Sequence, residues 1–293
     1  MISCRTDTGE TLGVVAGEHW LPGSEVLDGG PATIGELLTA GGEKMLTALR
    51  DRVDGQRIAA DGHLVADADL LAPVPRPGKI VAIGRNYRDH TTEEGVEPPP
   101  APLIFAKWPS AVVGHGAEVC WDPSLTQRVD YEAELAVVIG RTARGVVVDE
   151  ALDHVLGYTC LNDVSARDLQ FGDGQWVRGK SLDTFCPMGP ALVTADEIGD
   201  PQDLAISCWV GDERVQDART SDMFFGVAEI ISYCSMSFTL EPGDVIATGT
   251  PGGVGAFRDP PRYLGDGDRM TVEIERIGRL DNVCRFASVR SVA

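Results

Sequence analysis

From Lys79 onward the chain breaks into short apolar runs, each closed within a few residues by glycine, proline or aspartate. The runs are "KIVAIG", "PLIFAK", "AEVCW", "EAELAVVIG", "VLGYTCLND", "PALVT", "DLAISCWVG", "ERVQDA", "DVIATG" and "RMTVEIERI". Valine, isoleucine and aromatic residues suit pleated strands, and the flanking turn residues keep each strand short. Two runs meet at Gly211-Asp212 and read as a hairpin. Two helical patterns interrupt the series. They are "DEALDHVLG", with Asp149 placed to cap its first turn, and "SDMFFGVAEIISYCSMS", with Ser221 in the same role. A parallel doubly wound sheet needs strand and helix to alternate, and that alternation is missing. The pattern predicts an α+β fold, mainly β, in which a mixed sheet folds over on itself.

Residues 1–72 read differently. They hold alternating runs ("LGVVAG", "HLVADADLL") and one helical stretch, "TIGELLTAGGEKMLTALRDRV". There Leu37, Leu38, Met45, Leu46 and Leu49 recur at helical intervals around a Gly41-Gly42 break. The proline-rich segment "LAPVPRPGKI" then reads as a boundary. We expect a small N-terminal domain, 1–72, and a larger one, 73–293.

The formal net charge of −20 argues against a nucleic-acid partner, which needs a basic surface, and against anionic membranes. No apolar run approaches the roughly 18 residues of a membrane span. The start, "MISCRTDTGE", lacks the apolar core of a signal peptide. Seven cysteines are scattered singly, without zinc spacing, as reduced thiols in a cytoplasmic protein would be.

The stretch "DYEAELAVVIG", residues 130–140, is the most demanding of the runs. On a strand, Glu132 and Glu134 emerge on one face, while Ala133, Leu135, Val137 and Ile139 take the other. The two glutamates then stand about 7 Å apart and repel by roughly 2 kcal/mol at an effective dielectric of 20, with desolvation added. The apolar continuation "LAVVIG" favours a central strand over a solvated edge. Inside a sheet, the cost is relieved by a proton on one carboxyl, by arginines, or by a divalent cation. A third carboxylate, Asp163, closes the run "GYTCLND". Three carboxylates with no histidine or thiol at ligand spacing would make a hard oxygen site suited to Mg²⁺, Mn²⁺ or Ca²⁺. His90 and Glu93, three residues apart in "RDHTTEEG", fall on one face of a helical turn, where the carboxylate can orient the imidazole.

These residues together resemble the fumarylacetoacetate hydrolase family. "GRNYRDH" (84–90), "FAKWPSAVVG" (105–114), "DYEAELAVVIG" (130–140), "NDVSARDLQ" (162–170), "RGKSLDTFCPMGP" (178–190) and "TGTPGGVG" (248–255) match it in order. The resemblance implies a mixed β-roll, commonly a homodimer, with Mg²⁺ or Mn²⁺ on Glu132, Glu134 and Asp163. It implies a small 2-oxo acid substrate, with His90, Glu93 and Lys180 as catalytic residues and Arg85, Tyr87, Gln170 and Thr250 on the substrate side. An aspartate ligand of fumarylacetoacetase itself falls near the place taken here by Arg85. The pattern therefore resembles the acylpyruvase and oxaloacetate decarboxylase branch. The implied reaction is hydrolysis of a C–C bond in a 2,4-dioxo acid. Oxaloacetate decarboxylation, hydration or isomerisation of an unsaturated 2-oxo diacid, and non-catalytic keto-acid binding are the alternatives. Lys107 and Ser110 are candidates for the pocket wall. Arg167 and Asp168 read as structural or supporting residues, and His19, His63, His115 and His154 as structural or surface groups.

Overall fold

The computed structural model describes residues 1–39 and 42–288. The chain forms the expected mixed α+β fold, mainly sheet. A seven-stranded sheet runs, edge to edge, through Leu103–Lys107, Ile80–Gly84, Val245–Ala247, Ala133–Ile139, Val155–Asn162, Cys186–Thr194 and Val112–Val113. A five-stranded sheet runs through Glu213–Arg219, Ala205–Val210, Arg269–Ile274, Gly278–Phe286 and Glu118–Trp121. A second five-stranded sheet lies wholly in the N-terminal part, between Ile2 and Leu71.

Ala133–Ile139 is the middle strand of the large sheet, and every residue in it is buried. Its two faces bury against different partners. Ala133, Leu135, Val137 and Ile139 join the core packed against the second sheet, with Ile206, Cys208, Met270 and Val272. Ala136 and Val138 join a core shared with Leu12, Leu37 and Ile58 of the N-terminal part. An apolar run that alternates between two cores has no water-facing side, which is why "LAVVIG" carries no polar residue. Glu134 lies in phase with Ala136 and Val138.

The Gly211-Asp212 hairpin forms as the spacing predicts, with Gly211 at φ 60° where a residue with a side chain is disfavoured. The expected strand over 130–140 is interrupted. Val129–Asp130 pairs with Ser165–Ala166, the chain breaks at Tyr131 and Glu132, and the long strand starts at Ala133. Two capping expectations are corrected. The helix expected to be capped by Asp149 is only Val148–Ala151, contains Asp149 in its first turn, follows Val147, and has no side-chain cap. The later helix starts not at Ser221 but at Val227, and Ser221 lies in a separate 3₁₀ turn, Thr220–Asp222. There Gly226 is the cap, its N–H donating to Glu229 Oε2 at 2.7 Å. The N-terminal helical stretch divides at its glycines into Ile34–Thr39 and Gly42–Arg52, and Gly41 itself lies outside the described residues.

Candidate active site

Register brings the carboxylates together. Ala133–Ile139 pairs antiparallel with Val155–Asn162, with Ala133 opposite Asn162 and Glu134 opposite Leu161. One step further along, Asp163 falls opposite Glu132, and its N–H donates to the Glu132 carbonyl at 2.9 Å. Opposed residues share a face of the sheet, and Glu134 is the diagonal neighbour of Asp163 on it. Glu132, Glu134 and Asp163 each present an oxygen within 4.8 Å of the others. All three are buried, at 4%, 1% and 0% exposure, which excludes the solvated-edge reading of the two glutamates.

Three cations enter this cluster, and they are shared unevenly. Lys180 Nζ donates to Glu132 Oε2 at 2.7 Å and to Asp163 Oδ2 at 2.8 Å. Lys107 Nζ donates to Asp163 Oδ1 at 2.5 Å and also to the Lys180 carbonyl. Arg167 joins Asp130 Oδ2 at 2.9 Å and Glu132 Oε1 at 2.7 Å. Burial alone would raise the Glu132 pKa, but Lys180 and Arg167 outweigh it and hold the carboxyl at about 2. Burial would likewise strip Lys180 of its proton, and Asp163 and Glu132 more than restore it, so its pKa lies above the usual lysine value. Glu134 has far less help, since Lys180 acts on it only through space. Among the described residues no lysine or arginine forms an ion pair with it, and its one hydrogen bond is from Gly249 N to Oε2 at 2.8 Å. Burial, then Asp163 and Glu132, push its pKa well above the ordinary carboxylate value.

The opposite wall carries the histidine. "GRNYRDH" ends a central strand, Ile80–Gly84, and turns sharply at Arg85, which has φ 56°. The helix Arg88–Glu94 follows and closes on Gly95 at φ 70°, in the left-handed cap conformation. One helical turn places His90 Nδ1 2.8 Å from Glu93 Oε1. A carboxylate accepts, so the proton sits on Nδ1 and the lone pair on Nε2. The other oxygen of Glu93 accepts from Gly253 N at 2.7 Å, tying the helix to the glycine loop. Phe257 of that loop packs by the imidazole, ring centroids 6.0 Å apart.

Between the two walls lies a cleft of about 380 Å³, counting its open mouth. Arg85, His90, Glu132, Glu134, Gln170, Lys180 and Thr250 line it, as do Arg167, Phe105, Trp176 and Phe257. The remaining candidates stand elsewhere. Glu93 lies behind His90. Asp163 is fully buried and held by both lysines. Tyr87 is 0% exposed, packs in the core, and is not part of the cleft wall. Arg85 reaches the cleft but spends two nitrogens on Glu94, at 2.8 and 2.5 Å, and stacks 5.7 Å from the Trp176 ring. Gln170 accepts from Arg167 Nη1 at 3.0 Å. Ser110 is exposed on a 3₁₀ turn outside the cleft, whereas Lys107 lies beneath the carboxylates. Asp168 accepts from Thr126 Oγ1 at 2.6 Å, and His115 Nδ1 accepts from Asp281 N at 3.1 Å, both structural contacts.

Two partners were not legible as part of the site. Asp130 gathers the N–H groups of Gly255 and Ala256 at 2.8 and 2.9 Å while it holds Arg167, so it joins the glycine loop to the carboxylate cluster. Gln216 reaches in from the other sheet. The sequence marks Gln216 only as an uncharged polar residue in a charge-rich run, and the fold makes it the one buried residue of its strand.

The chain is similar to known proteins over most of its length. The chain is 48% identical over 219 residues to a mitochondrial oxaloacetate tautomerase of Bos taurus, covering 74% of this chain and 69% of that protein. It is 47% identical over 223 residues to an oxaloacetate tautomerase of Bacillus subtilis, covering 75% and 74%. Among solved structures, a fumarylacetoacetate hydrolase of Exiguobacterium antarcticum superposes with a TM-score of 0.84 at 37% identity, covering 98% of this chain and 99% of that one. The maleylpyruvate hydrolase of Sphingobium sp. SYK-6, in complex with manganese(II) ion and pyruvate, superposes with a TM-score of 0.78 at 31% identity, covering 98% and 100%. Residues 79–285 match the model of the fumarylacetoacetate (FAA) hydrolase C-terminal domain, and the chain belongs to the fumarylacetoacetate hydrolase family.

Proposed function

We propose that the protein is a divalent-metal-dependent enzyme of small 2-oxo acids, and that it moves a proton at the carbon next to the keto group. Keto–enol interconversion of oxaloacetate is the reaction that best joins the site to its relatives, among them the two oxaloacetate tautomerases described above. The observation that carries the reading is the facing of two devices across one narrow cleft. One is a buried triad of hard oxygen donors, and the other is a histidine whose Nε2 is left basic by Glu93.

Glu132, Glu134 and Asp163 would hold Mg²⁺ or Mn²⁺, which when bound polarises a carbonyl oxygen as a Lewis acid. The chain's own residues supply the rest. His90 Nε2 takes the proton from the carbon beside the keto group, and the bond pair left behind forms the C=C bond of the enol. Negative charge then gathers on the former keto oxygen. The ammonium of Lys180, kept protonated by Glu132 and Asp163, is the cationic donor on that side of the cleft. Return of the proton to that oxygen completes an isomerisation with no other reactant. Glu93 fixes the imidazole tautomer, and its hold on Gly253 keeps the helix and the glycine loop together over the cleft.

The C–C hydrolysis expected from the sequence stands as a second reading. The manganese- and pyruvate-bound neighbour is a hydrolase, and the same histidine would deprotonate a water in place of a carbon. One assay separates the two. Oxaloacetate enol is followed by its ultraviolet absorbance in the presence of Mn²⁺, while a lactate dehydrogenase couple reports pyruvate. Tautomerisation collapses the enol signal with no pyruvate. Decarboxylation of oxaloacetate, or hydrolysis of acetylpyruvate or fumarylpyruvate, releases pyruvate. No change over the uncatalysed rate with any of these substrates would overturn the proposal.

A further inference from the structure

Gln216 comes from the edge strand of the other sheet, yet its side chain ends between two parts of the cleft. It is 1% exposed. Its Oε1 accepts from the N–H of Ala133, at 2.9 Å, and Ala133 stands between Glu132 and Glu134. Its Nε2 donates to Thr250 Oγ1 and to the Pro251 carbonyl, both at 2.8 Å. Chemistry fixes the orientation of this amide. The N–H of Ala133 requires an acceptor and the Pro251 carbonyl requires a donor, so a flipped amide would set donor against donor and acceptor against acceptor. The NH₂ end therefore faces Thr250, whose oxygen must accept. A hydroxyl that accepts from one side still has its own hydrogen to give. Thr250 lines the cleft, and among the described residues its hydroxyl meets no other hydrogen-bonding group.

We propose that Gln216 is a positioning residue that presets the Thr250 hydroxyl as a donor into the cleft. The site then favours a ligand that presents an unprotonated oxygen at that point, a carboxylate or an enolate, over one that presents a hydroxyl or an amide N–H. The inference rests on the reading of the cleft as a 2-oxo acid site and adds a polarity to it. A donor held in place by a buried amide costs no reorientation when the ligand arrives. The same amide braces the backbone between the two glutamates, so Gln216 ties the metal-binding strand to the ligand-binding loop.

The test is calorimetric titration of Mn²⁺-loaded protein with oxalate, whose oxygens only accept. Thr250→Val removes the donor and should weaken oxalate binding about tenfold or more, whereas Thr250→Ser should stay close to wild type. Gln216→Glu keeps the shape and the acceptor for Ala133, and replaces the NH₂ with an oxygen that draws the Thr250 hydrogen away from the cleft. It should weaken oxalate binding by a similar factor, and the double variant should be no weaker than Thr250→Val alone. A purely bracing role for Gln216 would instead lower the melting temperature and Mn²⁺ affinity together, and its effect would multiply with that of Thr250→Val. Such multiplication overturns the inference, and so does wild-type oxalate affinity in Thr250→Val, which decides the matter even where Gln216→Glu does not fold. A wild-type protein that binds no oxalate overturns the site reading, and the inference with it.

Discussion

Glu132 and Glu134 are two residues apart and both buried, yet neutralising them should have opposite effects on the metal-free protein. In Glu132→Gln, Lys180 and Arg167 each lose a carboxylate 2.7 Å away. Breaking a buried ion pair from one side costs about 3–5 kcal/mol. Here each cation keeps another partner, Asp163 for Lys180 and Asp130 for Arg167, so the lower end, about 3 kcal/mol, applies. Glu134→Gln removes a group with no cationic partner. Two charged carboxylates within 4.8 Å of each other would repel by about 3.5 kcal/mol or more at an effective dielectric of 20, and that repulsion, added to burial, shifts Glu134 toward its neutral form. The amide keeps the hydrogen bond from Gly249 N and carries no charge, so Glu134→Gln should leave metal-free stability unchanged or raise it. Urea unfolding in the presence of a chelator measures this. At an unchanged slope, the midpoint should fall for Glu132→Gln and hold or rise for Glu134→Gln. Added Mn²⁺ then discriminates in the other direction. At a hundredfold excess over its dissociation constant it should stabilise the wild type by about 2.7 kcal/mol and both variants by far less. Equal losses for the two variants in chelator, or a full Mn²⁺ response in either, would refute the account of the cluster given above.

Further outcomes follow from the same geometry. Glu93→Gln can still accept from Gly253 N, but its amide then donates to His90 Nδ1 and moves the imidazole proton to Nε2. Turnover should fall by roughly 10²-fold or more while oxalate affinity is retained, and steady-state kinetics beside calorimetry would expose the error if kcat were unchanged. Dialysis against a chelator should abolish turnover, and either Mn²⁺ or Mg²⁺ should restore it, as an enol-decay assay would report; activity that survives chelation contradicts the metal reading. Burial pushes the thiols of Cys186 and Cys234 up to about 12, so at pH 8 the folded protein offers only ~10⁻⁴ of either as thiolate. A disulfide reagent should therefore titrate all seven cysteines only after unfolding, and rapid reaction of the native protein at either residue would count against the packing described. The same shift favours the neutral thiol in the fold. Its stabilisation is complete below the usual thiol value of 9.0 and is lost as pH rises toward 12, so the unfolding midpoint should drop across that window.

What the sequence revealed of the site, and what it hid, divide along one physical line. Period-two alternation shows which residues of one strand share a face, so Glu132 and Glu134 were legible together. Helical spacing shows the same for His90 and Glu93. Asp163 was legible as a carboxylate at the end of a strand and through the family resemblance, but its place opposite Glu132 comes from a strand pairing that only the fold reveals. The partners that neutralise the cluster lie on elements brought in by the fold. Lys107 is 56 residues from Asp163, and Gln216 is 83 from Ala133, and no local period reports such a contact. Arg167 was seen only as a supporting residue, because nothing in "SARDLQ" tells that its guanidinium would bridge Asp130 and Glu132. The misplaced helix start has a local cause. Ser221 is the stronger capping residue by type, but the Glu229 carboxylate reaches back to the Gly226 N–H beside the helix, and Ser221 is left in the preceding turn.

The charge pattern also bears on why Glu134 is there at all. A central strand buried on both faces is stabilised most by apolar residues, and Ala136 and Val138, on the same face, follow that rule. Glutamate at 134 departs from it without gaining a cation from the protein, whereas Glu132 and Asp163 are matched by lysines and arginine. A cluster meant only to hold the fold together would be balanced among its own residues, since an unbalanced buried charge is strongly destabilising. An imbalance confined to the one carboxylate of the three without an ion-pair partner among the described residues points to a positive charge supplied by a ligand and not by the chain. The strand therefore carries a local cost that binding of a cation removes, which links metal loading to stability and the stability of the site to its chemistry.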